Sequence, residues 1–96
     1  VGSSGTISVN EISVNQFSVY PNPTTGIIYI NYSLKEKSDL VMNIESVLGQ
    51  IVYSKEIKET QQNLLMVDMN FLERGAYFIT LTNGAEKTTI KVILTR

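Results

Sequence analysis

Cysteine and histidine are missing from all 96 residues. Their absence removes thiol nucleophiles, imidazole bases, disulfides and the usual zinc, copper and haem ligand sets. Proton transfer is left to Asp39, Asp68, seven glutamates and the lysines, and no two carboxylates stand in a recognisable catalytic motif. No loop carries the alternating acidic pattern of a calcium site. The chain is therefore expected to work without a cofactor, and these absences argue against a small enzyme. An excess of either charge is missing too. Eight basic residues against nine acidic ones, scattered along the chain, leave a net charge of -1 and no basic face for a phosphate backbone, so nucleic acid is not an expected partner. No apolar run approaches the roughly 20 residues that span a bilayer, so no membrane insertion is expected. The lack of cysteine fits an extracellular and a cytoplasmic domain equally. The opening "VGSSGT" is neither an initiator Met nor a charged-then-apolar export signal, and the chain reads as a piece of something longer.

What is present is a succession of short strand-like runs. With 43% apolar residues, the chain suits one domain of a size that buries about 60–68% of its unfolded surface. "FSVY" (17–20), "IIYINY" (27–32), "LVMNIES" (40–46), "QIVYSKEI" (50–57), "NLLMVDM" (63–69), "AYFITLTN" (76–83) and "KTTIKVIL" (87–94) are rich in β-branched and aromatic residues and separated by polar or Gly-bearing breaks. Seven strands without amphipathic helices between them predict an all-β, Ig-like antiparallel β-sandwich. Asn83-Gly84 suits a tight hairpin, so the last two strands should pair directly. In the last one, Thr88, Ile90, Val92 and Leu94 share the face expected to meet the core. "DMNFLERG" (68–75) reads as one helical turn capped by Asn70, answered by Glu73 and ended by Gly75. Gly49 marks a further turn. At the front, "ISVN" occurs twice at a spacing of five, which would put its two Ile-Val pairs on opposite faces of a single strand. Residues 1–16 are accordingly expected to be a linker or extended segment, residues 1–6 linker and 7–16 an extended approach, with the domain proper at 17–96.

Both prolines of the chain stand in "FSVYPNPTTG" (17–26). Pro21 and Pro23 hold Tyr20 and Asn22 extended and donate no ladder hydrogen bond, which makes "PNP" a stiff strand terminator. Thr24, Thr25 and Gly26 then let the chain reverse. A stiff corner is a sufficient structural role. A preordered loop also loses less entropy when a partner docks.

"VYPNPTTGIIYI", "SVLGQIV", "LERGAYFITLTNG" and "TTIKVILTR", in this order and at these separations over residues 17–96, resemble the C-terminal sorting domain of type IX secretion cargo, type A, a family of Bacteroidota. The resemblance implies a non-catalytic targeting module at the end of a larger exported protein. Its implied partners are the outer-membrane translocon, a sortase-like cell-surface protease that removes the domain or exchanges it for a surface anchor, and a cargo domain upstream of Val1. The implied location is secreted or cell-surface, reached through the periplasm and outer membrane. The family's matching positions are Tyr20, Pro21, Asn22, Pro23, Gly26, Gly49, Gly75, Tyr77 and Lys91, followed by Val92, Ile93, Leu94, Thr95 and Arg96. The chain departs from the pattern at Ala76, where a β-branched residue is common, and at its Thr95-Arg96 ending.

Each position also has a plainer reading. Gly26, Gly49, Gly75 and Gly84 are expected at positive φ as turn formers, Tyr77 as a core or sheet-corner aromatic, and Lys91 as a solvated lysine blunting a strand. If the last strand lies at an edge, it could add to a sheet of the translocon with Lys91 setting register. Replacing "KVILTR" is then expected to abolish export while leaving the fold largely intact. The alternative is an Ig- or fibronectin-like carbohydrate-binding or adhesion module using exposed members of Tyr20, Tyr29, Tyr32 and Tyr53, although Tyr29 and Tyr32 lie on opposite faces of one strand.

Overall fold

Two long strands organise the chain. In the computed structural model, which describes residues 14–84 and 86–95, the strands are β1 (Val14–Tyr20), β2 (Ile27–Ser46), β3 (Ile51–Asp68), β4 (Gly75–Asn83) and β5 (Glu86–Leu94). All pairings are antiparallel: β3 runs along one edge of β2, β1 pairs with Tyr29–Leu34 and β4 with Val41–Ser46 on the opposite edge, and β5 pairs with β4. The all-β class expected from the sequence holds, with five strands rather than seven, joined into one curled sheet. Expectations placed on residues 1–13 lie outside the described residues.

The strand count differs because two polar stretches that look like breaks are strand. Ser33–Asp39 and Lys58–Gln62 carry few apolar side chains, yet they pair with each other and fuse four expected strands into two. A ladder needs backbone donors and acceptors rather than apolar side chains, so polar residues continue it where they face water. The register shifts there. Between the pairs Ser33↔Gln62 and Ser38↔Thr60, Leu34–Lys37 oppose Gln61 alone, and next Asp39 opposes Lys58 and Glu59 together. Such bulges bend a strand and increase its twist. Glu59 takes φ 49, and its N–H donates to Asp39 Oδ1 at 2.9 Å. Lys58 Nζ lies 3.1 Å from Glu56 and 3.7 Å from Asp39. The bend is closed from inside by the hydroxyls of Tyr32 and Thr60, 2.7 Å apart and buried.

One face of this bent sheet makes the core. Ile28, Ile30, Tyr32, Leu34, Leu40, Met42 and Ile44 alternate along β2 with more exposed neighbours, and Val19, Val67, Ile79, Leu81, Val92 and Leu94 join them from the other strands. The β5 face expected inward is inward, with Val92 and Leu94 buried and Thr88 and Ile90 half-buried. β4 and β5 pair directly as expected. The register puts Asn83 opposite Glu86, so the positive φ falls on Gly84 and Asn83 remains a buried strand residue. Met69–Arg74 forms turns rather than a helix. Leu72 N–H bonds Met69 O, and Asp68 Oδ1 accepts from Asn70 N–H.

Candidate functional site

The proline loop does more than end β1. Beyond Tyr20 the chain crosses to the outer edge of β5, and Asn22 takes the place of a neighbouring strand. Its Nδ2 donates to Lys91 O at 2.8 Å, while its Oδ1 accepts from Ile93 N–H at 3.1 Å. Thr24 continues the pairing as a parallel bridge. Its N–H donates to Ile93 O, and its carbonyl accepts from both the N–H and the hydroxyl of Thr95. Backbone groups alternate sides along an antiparallel strand, so these are the outward groups of Lys91, Ile93 and Thr95. The missing proline N–H groups forgo no partner here, because a side-chain amide and a threonine backbone supply the donors. Both X-Pro bonds are cis.

Behind this contact the loop is anchored by Thr24 and Gly26. Thr24 is buried, and its hydroxyl donates to Ile27 O at 2.7 Å while accepting from Gly26 N–H at 3.1 Å. Gly26 is not among the positive-φ residues, in contrast to the expectation. Its lack of a side chain matters in another way: a Cβ there would stand 2.6 Å from Asn70 Oδ1 and force the Asn70 side chain to shift, while Gly26 O accepts from Met69 N–H. Gly49, Gly75 and Gly84 do have positive φ, at 85°, 150° and 60°.

The inner side of β5 is held by two more of the singled-out residues. Gly75 pairs with Leu94 and Tyr77 with Val92. Tyr77 is 9% exposed, and its hydroxyl donates to Glu73 O at 2.6 Å, the back-bond to a residue a few positions upstream that defines a tyrosine corner. Its ring and hydroxyl are thus occupied inside the molecule. Across β4 the row continues, because Tyr77 also pairs with Ser46. Ser46 opens the Gly49 turn, where Gly49 N–H bonds Ser46 O, Ser46 N–H bonds Gln50 O, and the Ser46 hydroxyl accepts from Leu48 and Gln50 N–H. That braced turn projects Val47 and Leu48 into solvent, Leu48 being 83% exposed.

Four segments distant in sequence therefore stand side by side at one end of the sheet, in the order Gly49 turn, Gly75–Tyr77, Val92–Leu94 and Asn22–Thr24. Pro21, Asn22, Pro23, Lys91 and Thr95 are exposed there, and Ile93 is half-buried. Arg96 lies outside the described residues. Lys91 sits on the outer face, paired with the half-buried Phe78. Two expectations change. The outer edge of β5 is occupied at Lys91–Thr95, so among the described residues a strand could add without displacement only nearer Lys87 and Thr89. Replacing "KVILTR" cannot leave the fold untouched, because Val92 and Leu94 are core residues at 0% and 1% exposure. Sequence reasoning placed Thr24 in a chain reversal and Asn70 and Glu73 in a capped helical turn, but not in the roles they have here. Thr24 bonds Ile27, Gly26 and β5, Asn70 packs against Gly26, and Glu73 O accepts from Tyr77, all through contacts that no local pattern encodes.

Of the four tyrosines considered for sugar stacking, Tyr32 is buried and Tyr53 is half-buried against Phe71, at 6.2 Å between ring centres. Tyr20 and Tyr29 are exposed neighbours, their rings 5.9 Å apart. Among the described residues, one titratable group departs clearly from its ordinary value, and it lies away from this end. Lys58 is raised by its hydrogen bond to Glu56, then by the charges of Glu56 and Asp39.

No match to a curated protein is found. A family model described as the secretion system C-terminal sorting domain matches residues 18–95. That span takes in all the segments that meet at β5, from the proline loop to Thr95, and on it the chain belongs to the family of type IX secretion C-terminal sorting domains.

Proposed function

We propose that the chain is a non-catalytic export signal whose readable element is the assembled end of the sheet rather than a free C-terminal peptide. Membership of the family supports a C-terminal sorting signal for type IX secretion, with export across the outer membrane to the surface or beyond. The observation that carries the finer reading is the bracing of Lys91–Thr95 on both sides, by Asn22–Thr24 outside and Gly75–Tyr77 inside. Held in this way, Lys91, Thr95, Pro21, Pro23 and the Val47–Leu48 turn form one composite surface of fixed geometry. A preordered surface loses little entropy on docking. The translocon would meet it first, with the cargo trailing upstream of Val1. Removal of the domain by a sortase-like protease, with exchange for a surface anchor, follows as the last step. Among the described residues, the outward groups of Lys87 and Thr89 leave room for backbone addition to β5, with Lys91 at the boundary of that stretch.

The test fuses residues 1–96 to the end of a periplasm-exported fluorescent reporter in a bacterium with a type IX system. Deleting "KVILTR" removes two core side chains, each worth about 1.5–3 kcal/mol of burial, and so tests folding together with recognition. Lys91→Glu changes the exposed face alone. The intact domain should carry the reporter outside the cell, and the folded Lys91→Glu variant should leave most of it in the periplasm. Export of that variant at the intact rate would refute recognition through this face, and retention of the intact fusion would refute the signal itself.

A further inference from the structure

On the outer face, at the half of the sheet built from β1, the start of β2 and the end of β3, side chains form a grid that the export reading does not use. The register places Tyr20, Tyr29 and Met66 in one row across the three strands. The next row is Ser18, Asn31 and Leu64, and the third is Gln16, Ser33 and Gln62. The first row is apolar and open, with Tyr20 45%, Tyr29 37% and Met66 62% exposed. The other two rows supply amides and hydroxyls beside the exposed Leu64, and none of these nine positions bears a charge. Asn31, Ser33, Gln16 and Gln62 also line a cavity of about 320 Å³, with Asn63 and Leu64 at its side. Among the described residues, the side chains of Gln16, Ser18, Asn31, Ser33 and Gln62 make no hydrogen bond to the protein, so their donors and acceptors are unspent.

We infer that this face binds a neutral glycan, one sugar ring lying on the Tyr20–Tyr29 pair and the next in the amide-lined cavity. Pyranose rings have an apolar face of C–H bonds that stacks on an aromatic ring and a rim of hydroxyls that both donate and accept. Amides offer the matching pair of donor and acceptor in one side chain. An anionic polymer would call for lysine or arginine, which the grid lacks. A folded protein partner would call for a broad apolar centre with a polar rim, whereas here the apolar positions run as a strip with the cavity at one side.

The experiment titrates the 96-residue chain with cellohexaose and with xylohexaose, reading amide chemical shifts and tyrosine fluorescence. Shift changes should map to β1, to residues 29–33 and to residues 62–66. Tyr20→Ala combined with Tyr29→Ala should weaken binding roughly tenfold or more, and Asn31→Ala should weaken it less. Both variants should keep the far-ultraviolet circular dichroism of the parent, and Lys91→Glu should bind as the parent does. The proposal is overturned if neither sugar shifts these residues at millimolar concentration, or if the double tyrosine variant binds unchanged. Concentration-dependent dimerisation that the double variant abolishes would also overturn it, in favour of a second copy of the chain on this face. None of these readouts depends on export.

Discussion

Asn22 shows how much one side chain can do by standing in for backbone. Its amide satisfies a carbonyl and an N–H two residues apart on β5, an arrangement that only a group with both a donor and an acceptor can make. Asn22→Ala should cost about 1 kcal/mol, because both bonds are exposed and water replaces part of what is lost. Amide exchange at Ile93 should accelerate along with the fall in urea midpoint, and unchanged exchange would contradict the strand-like role. Thr24 is the more expensive position. Its hydroxyl is buried between Ile27 O and Gly26 N–H, and Thr24→Val keeps the shape while leaving both groups unpaired, for about 2 kcal/mol. Tyr77→Phe removes one bond, to Glu73 O, and should lower stability by about 1 kcal/mol in the same titration. A Tyr77→Phe domain as stable as the parent would mean that the corner contributes packing alone.

At the scale of elements, the corner shared by β2 and β3 is where the chain departs furthest from its apparent pattern. Alternation is plain in 27–32 and in 40–46, and it marks both ends of β2. The polar run between them hid the continuity, since strand pairing there rests on backbone and bulges that side-chain chemistry does not report. Glu59 sits at φ 49 without the freedom of glycine, held by Asp39. Glu59→Gly should therefore raise stability by about 0.5–1 kcal/mol, the strain of a side chain in the left-handed region exceeding glycine's entropy. Asp39→Ala should lower stability by about 1 kcal/mol, read from equilibrium unfolding, and a stabilised Asp39→Ala domain would refute this account of the bulge. Lys58 adds little to either number. A lysine raised above its ordinary value stabilises at neutral pH and loses that contribution only as alkaline pH passes its folded value, and an exposed ion pair is weak to begin with.

At the scale of the whole molecule, the family membership and the geometry meet at β5. The motifs that the sequence spreads over more than seventy positions are neighbours in space, and the C-terminal strand lies between them with two of its side chains in the core. Fold and signal are consequently coupled. Variants that weaken the clamp, Asn22→Ala and Thr24→Val, should reduce export of a reporter in proportion to the population of unclamped domain, and export insensitive to both would place recognition elsewhere.

What the sequence determined by itself was the local chemistry: the all-β class from period-two alternation, the inward face of β5, the hairpin joining the last two strands, turns at Gly49 and Gly84, and the absence of side chains for thiol or imidazole chemistry. Those properties are encoded within a few residues of each position, because alternation and turn geometry are local. Tertiary structure alone decided the rest. It joined the polar middles of β2 and β3, assigned Gly26 to a close approach instead of a positive φ, put the Asp68 carboxylate on Asn70 N–H, buried Tyr32, and brought Asn22 to the edge of β5. Each of these depends on which backbone groups and side chains meet across the sheet, and residues such as Asn22 and Ile93, 71 positions apart, carry no mark of their partnership until the chain has folded.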